Sequence, residues 1–170
     1  MKKIFALALA TVMALTVLVG CGDKKSEGSE GGAKEADLNA VYTEIEEKMF
    51  DKYGEENSPM LDTIEGEMLD MTYPGLNEMG LKQCVVKAPM ITAVAAEFAL
   101  VEANDADQAA EVAEMFQARI DAQVEGGAWY PETIEGWEND SAVVTAGNYV
   151  MLVVMEDNAD YISIFESHCK

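Results

Sequence analysis

Basic residues are scarce in this chain. It has 170 residues, with 11 lysines and arginines against 32 aspartates and glutamates, a formal net charge of −21. So acidic a surface repels phosphate, which argues against nucleic-acid binding. Histidine is scarcer still: His168 is the only one, third from the end. A hydrolytic triad needs a base held within fixed hydrogen-bond reach of its nucleophile, and a terminal residue serves that poorly. There is no Gly-x-Ser-x-Gly turn either. One histidine and three widely spaced cysteines do not supply the clustered ligands of a structural zinc site. The densest acidic spacings, Asp105-x-Asp107 and Asp157-x-x-Asp160, do not continue into a calcium loop. Both fall at expected helix starts, where acids serve the caps and the helix dipole. No metal and no cofactor is therefore expected.

What is present is ordinary globular material and a distinctive beginning. Apolar residues make up 49 % and charged residues 25 %, enough to offset the entropy of ordering a single domain. Lys2 and Lys3 precede Ile4 to Val19, a run with no charge and only Thr11 and Thr16 as polar breaks. A basic start, a short apolar stretch and small residues before a cut describe a secretory signal. The ending Leu18-Val19-Gly20-Cys21 looks like the lipobox of bacterial lipoproteins. Residues 1–20 are accordingly expected to be a lipoprotein signal peptide, with the Cys21 thiol alkylated by a diacylglyceryl group and Cys21 then exposed as the new first residue. Two acyl chains on one site give stable membrane attachment where one gives only marginal binding. The expected location is the extracytoplasmic face of the bacterial cell membrane.

Residues 22–36 read GDKKSEGSEGGAKEA, without a large apolar side chain. This composition describes a flexible tether with a reach of roughly 20 Å. Residues 37–170 then form one domain.

Within that domain, Asp37 can cap a helix to about Lys52, with Leu38, Val41, Ile45 and Met49 on one face. Ser58-Pro59 reads as the start of a second helix ending at Pro74-Gly75, striped by Leu61, Ile64, Met68 and Met71. Gln83 to Lys87 and Thr92 to Val101 read as strands, the second with Val94, Ala96, Phe98 and Leu100 on one face and Glu97 on the other. Asn104 or Asp105 can cap the strongest helix, Asp105 to Val124, whose stripe is Ala109, Val112, Phe116, Ile120 and Val124. Ala128 to Asp140 reads as a loop. Ser141–Thr145 and Tyr149–Met155 read as a hairpin about Ala146-Gly147-Asn148, the second strand covered on both sides. Asp157 is expected to cap a last helix to about His168. The sum is an α+β domain: a four-stranded, mostly antiparallel sheet built from two strand-strand-helix units, with the N-terminal helices packed on it.

Three stretches, EFALVEANDADQAAEVAEMFQARIDAQ (97–123), WYPETIEGWEND (129–140) and GNYVMLVVMED (147–157), carry a likeness in diffuse pattern. On them, residues 37–168 resemble the domain of unknown function 4358 family, small lipoproteins of low-GC Gram-positive bacteria. The resemblance implies the extracytoplasmic setting and the α+β fold. It implies no activity, ligand or catalytic residue.

Candidate sites remain. Trp129, Tyr130 and Trp137 could stack on a sugar or peptide, or could plug the core and fix a long connection. Glu132, Glu135 and Glu138, beside them, are where a carboxylate-based hydrolase would be sought. Cys84 and Cys169 are the two cysteines left after lipidation and could form a disulfide if their backbones lie close. Eleven methionines are expected to fill gaps in the core. The favoured reading is a lipid-anchored, non-enzymatic binding or interaction module whose partners are the membrane and an envelope protein or wall-derived ligand. The alternatives are a small envelope hydrolase and an accessory solute-binding lipoprotein. The last is disfavoured because so short a domain lacks two lobes to close on a solute.

Overall fold

A computed structural model of the chain describes residues 35–91 and 93–170. The signal peptide, Cys21 and nearly all of the tether lie outside the described residues. Helix α1 spans Leu38–Tyr53, and the Asp37 carboxylate accepts the Asn39 and Ala40 amides at 3.0 and 3.4 Å, as a cap should. Its expected stripe of Leu38, Val41, Ile45 and Met49 is wholly buried, each side chain contributing up to roughly 1.5–3 kcal/mol by leaving water. Helix α3 spans Ala106–Ala122 and is capped by Asp105, which accepts the Gln108 amide at 2.9 Å. Ala109, Val112, Phe116 and Ile120 face the core.

Among the described residues the sheet has five strands rather than four. They are β1 (Asp62–Thr63), β2 (Gln83–Ala88), β3 (Glu97–Glu102), β4 (Ser141–Ala146) and β5 (Tyr149–Val154), in the order β1-β2-β3-β5-β4. All four pairings are antiparallel. The two expected hairpins, β2–β3 and β4–β5, join through β3 and β5. The β4–β5 turn is tighter than expected: Ala146 pairs with Tyr149, leaving Gly147-Asn148 as a two-residue loop, with Gly147 at the positive φ of 60° that such turns require.

The added strand comes from the segment expected to be a helix from Ser58. Ser58 instead closes the end of α1, its hydroxyl donating to the Gly54 carbonyl at 2.9 Å. Asp62 and Thr63 pair with β2, and the Ile64 amide extends that ladder to the Val86 carbonyl. Only Glu67–Thr72 is helical (α2). The helical spacing of Leu61, Ile64, Met68 and Met71 is misleading, because sheet pairing claims Asp62 and Thr63 between the first two and solvent reaches the last two.

Two further expectations change. The loop 128–140 contains helix α4 (Pro131–Asn139), which starts with proline at its first position and no side-chain cap. At Gly136 a Cβ would stand 2.6 Å from the Ala95 Cβ, so glycine lets α4 approach the segment leading into β3. The last helix, α5 (Ala159–Cys169), is not capped by Asp157. That residue has a φ of 56°, and its carboxylate meets the Lys52 ammonium instead.

The helices cover both faces of the sheet. Helices α2, α3 and α4 pack on Val86, Ala99, Val101, Val150, Leu152 and Val154. Helices α1 and α5 pack on Val85, Phe98, Leu100, Met151 and Val153. Strand β5 is accordingly buried from Val150 to Val154, as its unbroken apolar run implied. The two strand-strand-helix units put their helices on opposite faces. A rotation normal to the sheet that exchanges antiparallel β3 and β5 keeps each helix on its own face, so it does not superpose the units.

Candidate functional site

Strand β3 is buried at every residue, yet it begins and ends with a glutamate. Alternation sends these two side chains to opposite faces. Glu97 points to the α3 side and Glu102 to the α1 side. Their surroundings divide the molecule into two polar clusters, one at each end of the strand.

Arg119, the only arginine of the chain, lies on α3 at the border of the apolar stripe. Its Nε donates to Glu97 Oε1 at 3.3 Å and its Nη2 to Oε2 at 3.0 Å. The Tyr73 hydroxyl, at the end of α2, also donates to Oε1. The Glu97 side chain is 2 % exposed and that of Arg119 is 22 % exposed. The guanidinium stacks with the Trp137 ring of α4, 5.2 Å from its centroid, and lies 5.9 Å from the Tyr73 centroid. Burial disfavours the charge on Arg119, but the Glu97 carboxylate outweighs it and holds the guanidinium above its ordinary pKa. Burial first, and the Glu97 charge second, push the Tyr73 phenol well above its ordinary value of 10.0. Tyr73 therefore stays a donor and Arg119 a cation.

Glu97, Arg119 and Trp137 of this cluster line a cleft of about 210 Å³, together with Met68, Pro89, Met90, Ile91, Val94 and Gln123. Met68, Met90 and Ile91 are 42, 61 and 63 % exposed. The expectation that methionines serve as core filler fails here, and equally at Met60 and Met71. Chemically the cleft suits recognition better than acid–base work. Both Glu97 oxygens already accept hydrogen bonds from fixed donors, and Tyr73 holds its proton. Among the described residues no hydrogen bond uses Nη1 of Arg119. A donor beside thioether and aliphatic side chains can hold an acceptor group attached to an apolar body.

At the other end of β3, Glu102 accepts from Lys82 Nζ at 3.1 Å and from Gln83 Nε2 at 2.5 Å. Gln83 also donates to the Ala36 carbonyl at 2.8 Å and accepts the Leu38 amide at 3.0 Å. The Ala36 amide donates to the Tyr149 hydroxyl at 3.1 Å. One glutamine thus fastens the chain entering α1 to this end of the sheet. The cleft opens at the opposite end, about six strand residues or roughly 20 Å away.

Of the aromatic candidates, only Trp137 reaches the cleft, and it is buried. Trp129 and Tyr130 stand 81 and 53 % exposed. Glu132, Glu135 and Glu138 are exposed on α4. Cys84 and Cys169 are free thiols; Cys84 shares a face with Val86 and Ala88, and Cys169 packs with α5 on the other, so the sheet separates them. His168 pairs with Glu44 at 2.7 Å. Composition and motif spacing did not reveal Tyr73, Glu97 and Arg119. The available signals were a lone arginine within an apolar helix face and a glutamate within a buried strand.

Fold and cleft together define a class: an α+β domain with one antiparallel sheet between two helical layers and an ion pair at the base of an apolar cleft. The chain belongs to the family described as domain of unknown function DUF4358, whose model matches residues 55–155. That span contains all five strands and the Tyr73–Glu97–Arg119–Trp137 cluster. It leaves out α1 and α5. No curated protein and no solved structure matches the chain.

Proposed function

We propose that this protein is a lipid-anchored extracytoplasmic envelope module that acts by binding rather than catalysis, with the cleft at Arg119 and Trp137 as its ligand site. The observation that carries the binding reading is the mutual satisfaction of Glu97, Arg119 and Tyr73 under an apolar rim, with no acid or base left poised there. The hydrolase alternative lacks such support, since the carboxylates of Glu132, Glu135 and Glu138 stand exposed on α4 and, among the described residues, form no ion pair. The Leu18-Val19-Gly20-Cys21 sequence and the tether behind it support the anchor. The chain enters the domain at the end remote from the cleft.

Two measurements test this. Mass spectrometry of the membrane fraction is expected to find Cys21 carrying a diacylglyceryl group on its sulfur as the first residue, and Cys21→Ala is expected to lose both the lipid mass and the membrane fraction. An unmodified, uncut chain in cytosol removes the anchor. Thermal-shift screening against wall fragments, sugars and short peptides is expected to find a compound that raises Tm in the native chain. The rise should vanish in Met90→Ser and Ile91→Ser, which alter exposed rim side chains only. A rise that survives both variants places the ligand elsewhere.

A further inference from the structure

Strand β4 is an edge with an unused outer side. The two-residue turn makes Ala146 and Tyr149 the closing hydrogen-bonded pair, so Val144 and Ala142 also direct their backbone groups to β5. Ser141, Val143 and Thr145 direct theirs outward, and among the described residues β4 pairs with no strand but β5. Exposed edges are usually blocked by charge, proline or a bulge. SAVVTA has no charged residue and no proline, and its register with β5 runs without interruption. The opposite edge, β1, is only two residues long.

Beside β4 runs a groove of about 410 Å³ between the strand, the end of α3 and α4. Its floor is Ile120, Val124 and Val143, and its rim carries Asp121, Glu125 and Glu138. Among the described residues, none of these three carboxylates pairs with a cation. A second copy of the chain would oppose one acidic rim to another and is disfavoured. We propose that β4 accepts an extended cationic polypeptide segment as an additional strand. Its backbone would bond the outward groups of Val143 and Thr145, and its alternate lysines or arginines would meet the rim. This rests on the reading that the protein acts by binding, but on a surface separate from the Arg119 cleft.

The probe is a capped hexapeptide alternating Lys and Val, added to the full chain in detergent micelles, with amide hydrogen exchange as the readout. Exchange is expected to slow at Val143 and Thr145. A Glu–Val peptide is expected to give no protection. The combined Asp121→Asn, Glu125→Gln and Glu138→Gln variant should weaken Lys–Val binding roughly tenfold, as three exposed pairs would allow. Thr145→Pro removes an outward N–H that β5 does not use, and should abolish protection at an unchanged Tm. Should that variant fail to fold, the neutralised rim, which changes exposed side chains only, decides the matter. Protection elsewhere, equal binding of the Glu–Val peptide, or a peptide-free dimer protected at β4 would each overturn the proposal. Met90→Ser should leave peptide binding unaltered, so failure at the edge and failure at the cleft are told apart.

Discussion

Glu97 and Arg119 stand 22 residues apart and meet through two hydrogen bonds in the interior, with the Glu97 side chain almost sealed from water. Removing either partner leaves an uncompensated charge, which costs far more than the pair itself contributes. Arg119→Met is expected to destabilise by about 3–5 kcal/mol in chemical denaturation, and Glu97→Gln by a smaller amount because it keeps an acceptor. In a Tyr73→Phe background, where no hydroxyl is left without its acceptor, Glu97→Leu with Arg119→Met should recover much of the loss. In that background, a pair of changes as costly as Glu97→Leu and Arg119→Met made singly and summed would contradict this account of the pair.

Tyr73 gives the cluster a pH signature. Its folded pKa lies well above the ordinary 10.0, through burial and then through Glu97. The unfolded chain therefore gives up this proton first as pH rises. The associated stability is full below pH 10 and declines above it. Tyr73→Phe should flatten that alkaline decline in urea titrations. It should also cost about 1.5–3 kcal/mol at neutral pH, for the lost hydrogen bond to a charged acceptor.

Gly136 sets two effects against each other. Alanine in a helix interior gains up to about 1 kcal/mol over glycine. Here the added Cβ meets the Ala95 Cβ at 2.6 Å, and neither methyl can rotate away. Overpacking costs about 1–3 kcal/mol, so the clash wins and Gly136→Ala should lower Tm. Adding Ala95→Gly should restore at least part of it.

Gln83→Leu tests the fastening of the entering chain. The change removes the bonds to Ala36, Leu38 and Glu102 together. Amide exchange at Leu38 should accelerate while that of the β5 core stays slow. Global stability should fall by about 2–3 kcal/mol, chiefly because buried Glu102 keeps only Lys82.

Much of the scaffold was legible in the order of residues alone. The apolar stripe of α1, the spacing of α3 with Asp105 as its cap, and the unbroken YVMLVV of β5 each encode a local period. Period tells which face must leave water whatever it meets there. The composition, the acidic balance and the Cys21 motif are likewise properties of the linear chain. Where several local signals competed, contacts from elsewhere decided. Leu61 and Ile64 fit a helix, but an open edge on β2 drew Asp62 and Thr63 into the sheet. Trp129 and Trp137 sit in one aromatic segment, yet the approach of α4 to Ala95 inserts Trp137 and leaves Trp129 in solvent. The union of Tyr73, Glu97 and Arg119 has no local signature. Each comes from a different element, and only closure of the helices over the sheet excludes the water that would otherwise make their attraction weak.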